Sequence, residues 1–165
     1  MTRRCATINR VTNAPQSDYT LERETTVAAP LDKVFAFFSQ PENLEALTPP
    51  WLQFRIETPQ PIEIREGTLI AYRLRMRGIR IRWLTEIQTW RPPFEFVDIQ
   101  LKGPYKLWHH THRFEKSGSG TRIIDVVRYS LPFGPLGRLV HRLQVAKDIA
   151  KIFDYRETRV QALFS

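Results

Sequence analysis

The chain has 165 residues, a length at which folding buries roughly two-thirds of the unfolded surface, so one domain can build a sizeable core or an internal cavity. Its lone cysteine, Cys5, excludes an intrachain disulfide, and no apolar run approaches the roughly 20 residues of a spanning helix. Twenty-five Lys and Arg against 17 Asp and Glu give +8, which suits anionic lipid headgroups, acidic ligands or nucleic acid without choosing among them. The opening MTRRCATINR has no apolar core of the kind a signal peptide carries, so the expectation is a soluble, cytoplasmic protein.

Residues 1–17 show little periodicity and carry Arg3, Arg4 and Arg10, which predicts a loose basic arm, with residues 18–165 forming one domain. YTLERETTV, Tyr19 to Val27, is rich in β-branched residues and reads as a strand. In AAPLDKVFAFFS, Pro30 suits a first helical turn, and Val34, Phe35, Phe37 and Phe38 make the apolar side of a short helix. PENLEALTPP predicts a second short helix ended by Pro49 and Pro50. Six strands follow, LQFRIET, TLIAYRLRMR, IRIRWLTEIQTW, FEFVDIQLK, YKLWHHTHRFE and TRIIDVVRYSL, divided by Pro and Gly clusters into consecutive hairpins. From Leu136 to Phe164, apolar residues recur every three or four positions: Leu136, Leu139, Val140, Leu143, Ala146, Ile149, Ala150, Phe153 and Val160. This predicts one long amphipathic helix, started by Gly134 and Pro135.

One strand, two short helices, six antiparallel strands and a long helix resemble the α+β helix-grip fold of the START, birch-pollen-allergen and polyketide-cyclase superfamily, also called SRPBCC. The resemblance spans Tyr19 to Phe164 and is carried by AAPLDKVFAFFSQPENLEALTPPW, FVDIQLKGPYKLWHHTHRF, GTRIIDVVRYSLPFGPLGRL and IFDYR, which look like a bacterial ligand-binding subgroup. It implies a curved sheet of about seven strands wrapped around the last helix, with a cavity between them. Relatives include lipid and hormone binders, aromatase/cyclase-like enzymes and quinone-binding proteins, so the fold alone does not select a function.

The strand faces follow from the residues. In RLRMRGIRIRW a two-residue Gly78-Ile79 turn pairs Arg77 with Arg80, Met76 with Ile81, Arg75 with Arg82 and Leu74 with Trp83. Ile70, Tyr72, Leu74 and Met76 then share a face with Ile81, Trp83, Thr85 and Ile87, while Arg73, Arg75, Arg77, Arg80 and Arg82 share the other. Like charges opposite one another are destabilising, so this arginine patch calls for counter-charges, an anionic membrane surface or a protein partner, or else is a solvated face. A loop from Ser117 to Gly120 places His112 opposite Asp125, His110 opposite Val127 and Trp108 opposite Tyr129, all facing inward. Around Gly103 two registers compete. Hydrophobicity favours Val97 and Ile99 inward; the resemblance favours Phe96, Asp98 and Gln100, with Asp98 opposite His110.

KLWHHTHRFE therefore puts His110 and His112 on one inward face and sends His109 and Arg113 the other way. A metal needs a further inward ligand, for which Asp125 is available; the constellation is incomplete and no strong zinc spacing exists, so no metal or cofactor is expected. A His112–Asp125 pair fixes a tautomer and makes an acid/base catalyst of the cyclase/dehydratase type the alternative, with no nucleophile in evidence. Tyr155 and Arg156 either close a cavity mouth or, more simply, sit at the helix end against its carbonyls. Nucleic-acid binding rests on net charge alone and is not expected.

The expected function is binding, transport or presentation of a hydrophobic small molecule such as a lipid, isoprenoid/quinone or aromatic polyketide. The expected wall comprises Tyr72, Leu74, Trp83, Asp98, Gln100, Trp108, His110, His112, Asp125 and Tyr129 from the sheet. From the helix it takes Leu143, Ala146, Ala150 and Phe153.

Overall fold

The computed structural model describes residues 18–164; the arm expected over residues 1–17 lies outside the described residues. Strand β1 (Tyr19–Val27) is followed by helices α1 (Leu31–Phe38) and α2 (Asn43–Leu47), a 3-10 turn (Pro50–Leu52) and strands β2 (Arg55–Ile56) and β3 (Leu69–Met76). Then come β4 (Ile79–Arg91), β5 (Glu95–Lys102), β6 (Leu107–Ser117), β7 (Gly120–Ser130), α3 (Gly134–Val140) and α4 (Ala146–Phe164), the last two joined without a break by a π-helical turn, His141–Val145. The seven strands form one antiparallel sheet in the order β1-β7-β6-β5-β4-β3-β2. This is the helix-grip fold, a curved sheet around a long C-terminal helix. No helix among the described residues is long and apolar enough to cross a membrane.

Helix α1 buries Leu31, Val34 and Phe35, spaced i, i+3, i+4, and Asp32 in its first turn meets the positive end of the helix dipole. That face joins Phe96, Phe114, Ile123 and Val160 in one apolar cluster, with the Phe35 and Phe114 rings edge to face at 5.3 Å. A second cluster gathers Phe54, Leu74, Trp83, Val127, Ile149 and Phe153 between the sheet and α4.

The hairpins settle the registers. Between β3 and β4 the turn is Arg77-Gly78, both at positive φ (51° and 85°), the primed geometry that matches strand twist. Leu74 therefore faces Ile81, Tyr72 faces Trp83, Arg75 faces Arg80 and Arg73 faces Arg82, two residues out from the expected pairing. A slip of two keeps each side chain on its face, so the division between apolar and arginine faces stands. Arg77 itself leaves the patch: it reaches α4, donating from Nε and a terminal nitrogen to Asp148 at 2.9 and 3.0 Å.

Around Gly103 the register is the one with Asp98 opposite His110 and Phe96 opposite His112. Between β6 and β7, His112 lies opposite Asp125 and Trp108 opposite Tyr129 as expected, with Ser117 and Gly120 already paired. The strand expected over LQFRIET shrinks to Arg55–Ile56, because the chain before it coils into the 3-10 turn and leaves through Gln53 at φ 45°.

Candidate functional site

Asp98 on β5, His110 and His112 on β6 and Asp125 on β7 occupy adjacent central strands and point to the concave side, where α4 brings Arg156 against them. The four sheet groups cross-pair. His110 Nε2–H donates to Asp125 Oδ1 at 3.0 Å, and His112 Nε2–H donates to Asp98 Oδ2 at 2.9 Å. The remaining nitrogens face the opposite carboxylates. His110 Nδ1 is 3.6 Å from Asp98 Oδ2, and His112 Nδ1 is 2.8 Å from Asp125 Oδ1 but off the hydrogen-bonding direction, so it has no directed partner. Arg156 Nε lies 3.9 Å from Asp125 Oδ2, likewise without a hydrogen bond, and its guanidinium carbon sits 5.4 Å from the Phe38 ring centre.

Electrostatics separates the two imidazoles. Burial pushes His110 down to about 4, with the neighbouring His112 adding to the effect against the pull of the carboxylates. Burial acts on His112 too, yet the two carboxylates it faces, Asp125 and Asp98, outweigh it and raise its pKa. Burial opposes ionisation of both carboxylates. The His112 hydrogen bond and the surrounding positive charge nevertheless hold Asp98 below the usual carboxylate range, and Asp125 is held well below it, with Arg156 the strongest of its countering charges.

This group forms the charged end of a cavity of about 190 Å³. Of the residues expected in the wall, Tyr72, Leu74, Trp83, Asp98, Trp108, His110, His112 and Phe153 line it. The others do not. Asp125 sits behind the histidines, holding His110. Gln100 turns its amide to Tyr105, donating to its carbonyl at 2.7 Å and accepting from its N–H at 3.3 Å. Tyr129 is turned to His141, with 2.9 Å between the hydroxyl and Nε2. Leu143 is 63% exposed, because the π-helical turn rotates the start of the helix away from the sheet, and Ala146 and Ala150 are half-buried off the wall.

Sequence reasoning missed Phe37, Phe38 and Leu44 from α1 and α2, Phe54 beyond them, and Ile149, Ile152 and Arg156 from α4. The α4 signal was present: 149, 152, 153 and 156 follow the same three- and four-residue spacing, so Arg156 shares the inward face with Phe153. Position near the chain end is what suggested a capping role instead.

On the convex face, Glu57 approaches Arg73 and Arg82 at 3.9 and 4.0 Å, and Arg75 donates to the Gly78 carbonyl at 3.1 Å.

The sequence pattern of the family described as polyketide cyclase/dehydrase and lipid transport matches residues 19–163. No curated protein matches the chain. Among solved structures, TTHA0849 from Thermus thermophilus is 24% identical with TM-score 0.62, the alignment covering 89% of this chain and all of that one. Protein Ms6760 from Mycobacterium smegmatis is 18% identical with TM-score 0.64, covering 87% and 89%. CV1439 from Chromobacterium violaceum is 12% identical with TM-score 0.67, covering 88% and 96%. At these identities the likeness is one of fold.

Proposed function

Since the chain belongs to the polyketide cyclase/dehydrase and lipid transport family, we propose that it binds a compact hydrophobic molecule, an aromatic ring system or short isoprenoid, with one ligand oxygen fixed at the charged end by Arg156 and the histidine pair. The observation that carries this reading is an apolar, aromatic-rich cavity with its polar groups collected at one place, the pattern of small-molecule sites. Size narrows the class. A cavity of roughly 150 Å³ accommodates benzene, so about 190 Å³ suits one or two rings or a short branched chain rather than a whole long-chain lipid. Chemistry narrows it further, because Arg156 lines the cavity and its Nε is a buried nitrogen without a hydrogen-bond partner, which a ligand carbonyl, phenolate or carboxylate oxygen satisfies. A cytoplasmic setting fits the single cysteine and is part of the same proposal.

Native mass spectrometry of freshly purified protein, followed by denaturation and identification of what is released, tests this directly. Trp83 and Trp108 in the wall supply a second readout, since an aromatic ligand entering the cavity should quench their fluorescence saturably. Filling the space with Leu74→Trp should abolish that binding while costing about 1–3 kcal/mol of stability through overpacking. Arg156→Met should weaken oxygenated ligands about tenfold and leave the hydrocarbon analogue unaffected. A purified protein without companion, whose tryptophans respond to no aromatic or isoprenoid compound, would sink the reading.

A further inference from the structure

The sequence offers His110 and His112 on one strand face but leaves the third ligand of a metal site in doubt. The register around Gly103 supplies it, since Asp98 stands opposite His110 and one donor atom from each of Asp98, His110 and His112 lies within 4.8 Å of the others. The hydrogen bond to Asp125 fixes what His110 presents. An ionised carboxylate only accepts, so Nε2 carries the proton and Nδ1 turns a lone pair toward Asp98 Oδ2 at 3.6 Å. Asp98 Oδ2 accepts from His112 Nε2–H at 2.9 Å and faces the His110 lone pair on its other side, an approach of two acceptors that a cation in place of that proton relieves. The spacing has room for one: with metal–ligand bonds of about 2.0–2.1 Å, tetrahedral ligand atoms stand roughly 3.4 Å apart.

The geometry points to a divalent transition-metal site in which Asp98 Oδ2, His110 Nδ1 and His112 Nε2 are the ligands, the ion displacing to solvent the proton that His112 Nε2 otherwise donates to Asp98, and Asp125 is the outer carboxylate that holds His110. Asp125 Oδ1 hydrogen-bonds His110 Nε2 at 3.0 Å, the arrangement that fixes a metal-ligating histidine, and stands 2.8 Å from His112 Nδ1 without a directed bond. Two imidazoles and one carboxylate suit Zn(II), Fe(II) or Co(II) rather than Mg(II) or Ca(II). The three ligands line the cavity while Asp125 stays behind them, so the remaining coordination positions open toward whatever the cavity holds. Asp98 and a divalent ion leave one positive charge, Asp125 and Arg156 cancelling each other, and that charge selects an anionic oxygen on the ligand. The site stands apart from the cavity reading, because ion uptake requires no organic ligand.

The test uses the full chain after dialysis against a chelator, titrated with Zn(II) by calorimetry and with Co(II) by visible absorption. One ion per chain is expected, with the strong Co(II) bands of a four- or five-coordinate site. Asp98→Asn and His112→Gln should each weaken binding at least tenfold, and Asp125→Asn by about 10–100-fold. His109→Gln, whose ring lies on the opposite strand face, should leave binding unchanged. No uptake by the folded wild-type chain overturns the proposal, as does uptake that Asp98→Asn does not diminish. Should these variants fail to fold by circular dichroism, the wild-type Co(II) spectrum still decides, because weak, aquo-like bands mark an ion held on the surface only and overturn it.

Discussion

Gln100 and Asp98 share one face of β5, and their side chains serve different ends. Asp98 meets the histidines. Gln100 clamps the β5–β6 connection through two hydrogen bonds to the Tyr105 backbone and lies directly beneath Gly103, where any Cβ would collide with its amide. The pairing of Asp98 with His110 thus rests on a local polar clamp that outweighs the inward pull of Val97 and Ile99. Gln100→Leu leaves the Tyr105 N–H and carbonyl without partners and should cost about 1–3 kcal/mol in urea unfolding. Gly103→Ala, which displaces the same amide, should cost a similar amount, and the two together little more than either alone. Additive losses would show that Gln100 and Gly103 act separately.

At the scale of elements, periodicity made the strands, the short helices and the long helix legible, because a period of 2 or 3.6 is written in which residues are apolar. Register was legible only where a turn had one good solution. For β6–β7 it did. Arg77-Gly78 displaced the expected Gly78-Ile79 because the turn is type I′, with positive φ at both central residues and glycine second, and Arg77 accepts positive φ while tied to Asp148. The π-helical turn, His141–Val145, left no trace in the spacing of Leu139, Val140 and Leu143, since one extra residue in a turn shifts a face without breaking the helix.

That turn seats His141 on Tyr19, ring centres 3.4 Å apart, and within 2.9 Å of the Tyr129 hydroxyl. Burial lowers the His141 pKa from 6.5. The folded state therefore binds the proton less readily than the unfolded one, so this contribution to stability is intact above pH 6.5 and fades as pH falls through the lowered value. Against wild type, His141→Phe should flatten the stability profile below pH 6.5 and leave its slope above pH 7 unchanged, measured by denaturant unfolding across pH. Parallel profiles for the two proteins would exclude a role for His141 in acid sensitivity.

Over the whole molecule, the cavity was legible only as an implication of the fold, because empty space has no residue of its own. It exists where α1, α2 and α4 approach the concave sheet without meeting, and half its wall comes from elements distant in sequence from KLWHHTHRFE. The arginine face was legible at once, yet its shape was not. A groove of about 670 Å³ runs along the sheet edge, bordered by Arg55, Arg73, Arg75, Arg80 and Arg159, and it shares Thr48, Phe54 and Leu74 with the cavity wall. Glu45 answers Arg55 at 3.0 Å, but among the described residues no carboxylate stands within ion-pair distance of Arg75, Arg80 or Arg159. Should this cationic groove meet an anionic bilayer, its arginines carry the attraction. Near such a surface each arginine is worth about 1 kcal/mol, so Arg75→Glu with Arg80→Glu should weaken binding to phosphatidylglycerol vesicles by well over tenfold. Binding of the wild-type chain should also fall steeply as salt shortens the screening length toward about 8 Å. Vesicle flotation that neither salt nor the double substitution changes would return these arginines to a solvated strand face.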